Sequence, residues 1–267
     1  MKEVGIRAAT GAIYVALTLG AAWAGPFTTF LLFLPVSLLA VREMHLLYWG
    51  IESGPPMAWT LLMAATMHIS MSMGLFDEGW TVNYSIAIGF LLLLVSVAFT
   101  LLRNDPAPAR TFGGLLTVLL LIVVPFGLLV DFFTFGAWSF VGFMILLWTN
   151  DTGAYLVGRA MGRTKLLPAI SPKKTVEGFI GGLVLTMGMA WVIAQFVTEI
   201  APLQWATLGG IITFTSTLGD LLESAFKRER GVKDSGTLLP GHGGILDRFD
   251  GFFLAVPSVL LYLHLIR

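Results

Sequence analysis

The sequence predicts an all-α protein, a polytopic bundle of about nine transmembrane helices, and three observations lead there. Of the 267 residues 56% are hydrophobic and only 12% charged, with a mean hydropathy of +0.84; a soluble domain carries about 25% charged residues. Nine segments are apolar over the roughly 20 residues a bilayer crossing requires: about 6–23, 27–48, 57–75, 84–103, 111–131, 136–157, 176–198, 203–226 and 249–266. Threading nine spans through a membrane then sorts the basic residues almost entirely to one side.

Taken in order, the first segment follows Lys2 and Arg7 and ends in Ala22-Trp23-Ala24, a pattern that mimics a signal-peptide cleavage site. Its length and the spans that follow make it an uncleaved first helix. Breaks between later segments carry turn residues: Gly25-Pro26, Gly54-Pro55-Pro56, Asp77-Glu78-Gly79 and Asn104-Asp105-Pro106. The third segment, with His68 among Met and Ser, and the eighth, which ends in charges, have the weakest span signals. No internal repeat of 20–50 residues stands out. Under this topology 15 of the 16 Lys and Arg residues share a face with the N-terminus, and only Arg267 lies opposite. The positive-inside rule makes that face cytoplasmic. The sixth loop (about 158–175) and the eighth (about 227–248) hold ten of the sixteen. They are either solvated positive-inside loops or the walls of a site.

Absence of cysteine excludes disulfides, thiolate metal sites and a cysteine nucleophile. Any metal ligands are then carboxylates, hydroxyls or the four histidines, a set that favours hard cations such as magnesium. Asp151 opens the sixth loop near the cytoplasmic end of a helix, and intramembrane acids are functional candidates by default. Further on, Ser171-Pro172-Lys173-Lys174-Thr175-Val176-Glu177-Gly178 begins the seventh helix. Free N–H groups and lysines there suit a phosphate, and the same residues read equally as an ordinary helix cap. No Walker P-loop is present.

On the eighth helix, spacings of three, four and seven place Asp220, Glu223, Ser224 and Lys227 on one face. Asp247 and Asp250 stand three apart at the start of the ninth. Four carboxylates on consecutive helices suit magnesium, which takes a few carboxylates plus substrate phosphates. The bland alternative is a set of salt bridges, Asp220–Lys227, Asp247–Arg248 and Asp234–Lys233. Between the helices lies Pro240-Gly241-His242-Gly243-Gly244, whose glycines let the backbone approach a ligand and aim N–H groups at it. His242 reads either as a proton shuttle or phosphate donor or as a turn residue. His45, His68 and His264 have no polar company in the sequence and read as packing or interfacial residues.

The run Ser224-x-Phe226-Lys227-Arg228-x4-Lys233-Asp234-x-Gly236-x2-Leu239-Pro240-Gly241-His242-Gly243-Gly244-Ile245-x-Asp247-Arg248-x-Asp250 resembles the signature of the phosphatidate cytidylyltransferases, or CDP-diacylglycerol synthases. Asn150-Asp151-x-Gly153-Ala154-Tyr155 and Ser171-Pro172-Lys173-Lys174-Thr175-x-Glu177-Gly178 resemble them too, with Val176 where many relatives carry an aromatic. The resemblance covers the C-terminal 120 residues or so; the first 140 match only as generic apolar helices. It implies two regions, 1–140 as lipid-facing scaffold and 141–267 as catalytic region with two basic loops.

The implied reaction joins phosphatidic acid and CTP into CDP-diacylglycerol and pyrophosphate, in phospholipid biosynthesis at a bacterial inner membrane. The lipid phosphate is already an anionic nucleophile, so positioning and charge neutralisation suffice. In this reading Mg2+, with room for a second cation, sits on Asp220, Asp247 and Asp250, with Glu223 and Asp151 as further ligands. Lys227, Arg228, Lys233, Asp234, His242 and Arg248 are the catalytic candidates. Ser171, Lys173, Lys174, Thr175, Glu177, Ser224, Gly241, Gly243 and Gly244 are the substrate-binding ones. The family tendency implies a homodimer, with CTP, phosphatidic acid and membrane lipid as partners and no nucleic acid. Two competing readings are a CTP-dependent kinase of a polyprenyl or phytyl alcohol, which would transfer the γ-phosphate, and a membrane transporter. A transporter would hold its acids in mid-membrane on broken helices rather than at helix ends beside basic loops.

Overall fold

Glycine–proline pairs set the first boundaries. Gly25, at φ 111°, ends α1 (Lys2–Ala24), and Pro26 supplies the first turn of α2 (Pro26–Trp49), where its missing N–H costs nothing. The computed structural model describes residues 2–50, 54–75, 77, 79–236 and 243–267, with residues 2–8 as backbone only. The chain forms two compact units: Met1–Val130 with Asp234–Arg248, and Asp131–Lys233 with Phe249–Arg267. The second polar loop is therefore shared out, Asp234–Arg248 belonging with the N-terminal helices.

The first unit contains α1, α2, α3 (Met57–Ser72), α4 (Val82–Leu102), α5 (Pro108–Thr117) and the short α6 (Val124–Gly127). Its core is built from Phe33, Val41, Met44, Met63, Leu115 and Phe126, all essentially inaccessible. Between α5 and α6 the chain widens into a π-turn over Val118–Val123. Pro125 explains it: its ring has no N–H for the carbonyl four residues back and crowds that carbonyl, so the helix relaxes to longer bonds. His45, expected to lack polar company, bonds Thr60 through Nδ1 at 3.0 Å. His68 fits the packing expectation, its ring against Phe30.

The second unit contains α7 (Ser139–Met161), a hairpin of β1 (Lys165–Leu167) and β2 (Ser171–Thr175), α8 (Val176–Ile193), α9 (Pro202–Glu229) and α11 (Phe252–Leu265); the four-residue α10 (Leu246–Phe249) precedes α11. Small residues bring α7 and α8 together. A Cβ on Gly178 would lie 2.8 Å from the Ala154 carbonyl, and one on Gly182 2.9 Å from Asn150 Oδ1, the close approach that glycine permits between apolar helices. The same device joins α9 to the α11 end, since a Cβ on Gly219 would stand 2.5 Å from the Asp250 carbonyl.

Each of the nine expected segments is helical. Among the described residues, however, six helices are long and apolar enough to cross a membrane: Pro26–Trp49, Val82–Leu102, Pro108–Phe135, Ser139–Met161, Val176–Ile193 and Leu246–Leu265. The expected nine is thus not reached on this criterion. α3 has only 16 residues, the apolar part of the first helix is limited to Ala9–Ala24, and α9 mixes Gly, Thr and Ser with charges in its last turns. The chain is an integral membrane protein of helices. The sixth loop also differs from expectation, since Ser171–Thr175, read as the beginning of the seventh helix, is a strand. α7 continues to Met161 and the remainder folds back as a hairpin, with Lys165 paired to Thr175 and Leu167 to Ser171.

Candidate active site

In the first unit Gly236, Gly243 and Gly244 meet carboxylates of the protein itself. Glu43, on the last turns of α2 and 4% exposed, accepts the Ile245 N–H at Oε1 (3.0 Å) and the Leu246 N–H at Oε2 (2.8 Å). Ser235 Oγ stands 3.1 Å from Glu43 Oε2 and 3.0 Å from Asp247 Oδ2. That Asp247 oxygen also accepts the N–H groups of Ser235 (3.0 Å) and Gly244 (2.8 Å). Two carboxylates thus consume the donors at the start of α10, which would otherwise lack partners within the helix.

The glycines are required by this wrapping. Gly243 has φ 84°, and a Cβ there would come within 2.6 Å of Asp247 Oδ2. A Cβ on Gly236 would reach 2.7 Å from Glu43 Oε1, and one on Gly244 would run into Glu43 Oε2 and Ser235 Oγ. Of the turn expected to supply N–H donors, Gly244 aims its N–H at Asp247, and the following Ile245 and Leu246 N–H groups are aimed at Glu43.

In the second unit the chemistry gathers on α7, β2 and α9. Lys174 reaches from β2 to Asp220 on α9, Nζ to Oδ2 2.5 Å. One turn further along α9, Lys227 Nζ lies 2.5 Å from Glu223 Oε2, both groups buried. The pairing expected between Asp220 and Lys227 is therefore replaced: Lys227 takes the carboxylate one turn back, at (i, i+4), which helix geometry favours, and a strand outside the helix serves Asp220. Ser224 Oγ sits 3.3 Å from Asp220 Oδ1. Asp250 interacts electrostatically with Asp220, Asp151 and Glu223, so four acids share a neighbourhood with two lysine ammoniums. Buried Asn150 braces it by donating from Nδ2 to Ser216 Oγ at 3.0 Å.

The residues at the start of α8 have local duties. Thr175 caps the helix, its Oγ1 accepting the Gly178 N–H at 3.1 Å. Glu177 accepts the N–H groups of Arg163 (3.0 Å) and Thr164 (3.1 Å), tying the hairpin to the helix. Arg228 donates to the carbonyls of Ile170 (3.3 Å) and Val232 (2.9 Å). Ser171 and Lys173 lie on β2 rather than in a helical turn, and adjacent strand positions put Lys173 and Lys174 on opposite faces. Asp151 stands within α7, ten residues before its end at Met161, deeper than expected. Lys233, Asp234 and Arg248 are exposed. Pro240, Gly241, His242 and Glu78 lie outside the described residues.

Sequence reasoning missed Glu43. The signal was available: an acid on an apolar helix at the expected membrane boundary, the criterion that singled out Asp151. In the second unit α7 and α8 enclose an apolar groove of about 740 Å3, lined by Trp148, Thr152, Leu156, Val184, Gly188 and Val192 among others. Among the described residues no three acids or histidines converge as a ready-made metal cage.

Fold and site together define a helical integral membrane protein with clustered carboxylates and lysines. Residues 5–266 match the model of the cytidylyltransferase family, and the chain belongs to that family. It is similar to the phosphatidate cytidylyltransferase of Staphylococcus saprophyticus, 51% identical over 120 residues, which is 45% of this chain and 46% of the relative. Similarity to the proteins of the same name from Staphylococcus aureus strain COL (50% over 121 residues, 45% and 46%) and Bacillus subtilis strain 168 (50% over 124 residues, 45% of each chain) is equally high. The chain spans about half the length of the curated relatives it matches.

Proposed function

We propose that this protein transfers CMP from CTP to phosphatidic acid, releasing pyrophosphate and forming CDP-diacylglycerol. The observation that carries the reading is the roughly half-identical stretch shared with phosphatidate cytidylyltransferases, supported by the Lys174–Asp220 and Lys227–Glu223 pairs. An oxygen of the lipid phosphate attacks the α-phosphorus of CTP in line; the new O–P bond forms as the bond to the β-phosphate bridging oxygen breaks. The nucleophile is already ionised, so no side chain has to remove a proton. Lys173, Lys174, Lys227, Arg228 and Lys233 neutralise phosphate charge, which is the main catalytic demand of such a transfer. The α7–α8 groove supports a lipid substrate, because it offers apolar wall to an acyl chain.

The acids around Asp250 outnumber the lysines paired with them, and their hard oxygen donors fit magnesium. Magnesium characteristically uses one or two carboxylates plus substrate phosphates rather than an all-protein cage. Asp220 and Asp250, with Asp151 and Glu223 beside them, would hold it. Bound there, the ion would supply charge neutralisation on the triphosphate. The Lys and Arg asymmetry of a nine-span topology supports a site on the cytoplasmic side, and the family tendency supports a homodimer, which cross-linking in native membranes would test.

Purified protein given phosphatidic acid, magnesium and each of the four nucleoside triphosphates should release pyrophosphate with CTP. Label from the α-phosphate should enter the lipid. Label entering from the γ-phosphate instead would make the protein a CTP-dependent lipid kinase, and solute uptake by reconstituted vesicles without CTP consumption would make it a transporter.

A further inference from the structure

We infer that Glu43 is a positioning residue of the reaction, fixing Ser235 and the Ile245–Leu246 amides from α2. The inference rests on the cytidylyl-transfer reading, because it takes the loop holding these groups to belong to the active site. Nothing in the motif Ser224–Asp250 contains Glu43, which lies about 190 residues upstream of Ser235.

Burial of a lone carboxylate is costly unless donors converge on it. Glu43 is 4% exposed, and three donors of one loop meet it: the Ser235 hydroxyl and the N–H groups of Ile245 and Leu246. Charge-assisted bonds of this kind are short and directional, and here they divide between both oxygens. Gly236 and Gly244 leave no room for a side chain against the same carboxylate. Ser235 passes the restraint on, since its Oγ and N–H also meet Asp247 Oδ2. The carboxylate thus binds Ser235 and the Ile245 and Leu246 amides, two separate stretches inside the Ser224–Asp250 signature. Among the described residues its hydrogen bonds run to this loop, so the role assigned to it is setting geometry rather than bond making.

Glu43→Gln tests this. The amide keeps one acceptor oxygen but turns an NH2 group toward N–H donors. Expected is a fall in kcat of about 10–100-fold, the usual size for a group that orients others, with the KM for phosphatidic acid unchanged. Glu43→Asp, which keeps the charge on a shorter arm, should recover part of the rate. Hydrogen exchange at the Ile245 and Leu246 amides should accelerate in Glu43→Gln. Unchanged exchange at those amides, or accelerated exchange with wild-type kcat, overturns the proposal. If Glu43→Gln does not fold, Ser235→Ala removes the hydroxyl link while leaving the two N–H bonds, and should lower kcat in the same direction by a smaller factor; a wild-type kcat there overturns it. A wild-type protein that releases no pyrophosphate from CTP refutes the assigned reaction instead, and the exchange measurement still decides whether Glu43 holds the loop.

Discussion

Lys174 Nζ lies 2.5 Å from Asp220 Oδ2, joining the second strand of the α7–α8 hairpin to the middle of α9. Both side chains keep about a quarter to a third of their exposure (26% and 31%), so water screens the pair and its contribution to stability is about 0–1 kcal/mol. The pair matters by placement. Lys174→Ala should leave thermal unfolding in detergent almost unchanged while initial rates of pyrophosphate release fall at least about tenfold, the loss of one well-placed cation from a phosphate site. Lys174→Arg, which keeps the charge, should recover part of that rate.

Asp247→Asn tests the loop from its other carboxylate. The Ser235 and Gly244 N–H groups converge on Asp247 Oδ2, with the one hydroxyl proton of Ser235 shared between it and Glu43, and an amide replaces charge-assisted bonds with weaker ones or presents a donor to them. CDP-diacylglycerol formation should disappear while the protein remains folded in the membrane, with stability lower by about 1–3 kcal/mol. Wild-type turnover in this variant would remove Asp247 from the site.

Gly219 and Gly210 give a paired test of the helix contacts. A Cβ at 219 would stand 2.5 Å from the Asp250 carbonyl, whereas one at 210 meets nothing within 4 Å. Gly219→Ala should destabilise by about 1–3 kcal/mol and lower activity, since Asp220 is the next residue. Gly210→Ala should be neutral or stabilise by up to about 1 kcal/mol, the helical advantage of alanine. Thermal unfolding of both variants beside wild type reads the difference.

Chelation provides a fourth test. Removing divalent cations should stop turnover, and magnesium should restore it. Asp220→Asn and Asp250→Asn should each raise the magnesium concentration for half-maximal rate by about tenfold or more. A magnesium titration unaltered in both variants would refute the assigned carboxylates.

Asp105, in the connection after α4, offers a pH test away from the site. The Thr111 hydroxyl (2.6 Å) and the Ala107 N–H (2.8 Å) hold its carboxyl below the usual value of 3.8. A group with a depressed folded-state pKa stabilises above its unfolded value and loses that contribution as pH falls through the folded one. Wild type should therefore unfold above Asp105→Asn at neutral pH, and the two should converge below about pH 3.8. A gap that persists in acid would mean that the amide itself disrupts the turn.

Much of the helical layout was legible because apolar length is a local property: all nine segments form helices, bounded by Gly25-Pro26 and its counterparts. The number that cross a membrane was less so, since α3 is short and α9 polar in its final turns. Likewise the (i, i+4) relation of Glu223 and Lys227 follows from helical spacing, but its preference over Asp220–Lys227 depended on Lys174 arriving from β2. The hairpin was hidden because Leu167 to Ser171 is a tight turn between strands of three and five residues, too short for a periodic signal. His45 gained Thr60 and His264 gained Asp131 as partners from distant segments.

By itself the sequence determined the membrane helices, the two basic loops, the absence of cysteine chemistry and the signature from Ser224 to Asp250, since these depend on composition and on spacing along one segment. Tertiary structure alone decided that Glu43 and Asp247 take up the N–H groups of the glycine-rich loop, and that Lys174 is matched to Asp220. Such pairings join residues up to about 200 positions apart. Their energies depend on burial and on which donors converge, and a linear sequence specifies those only through the folded chain.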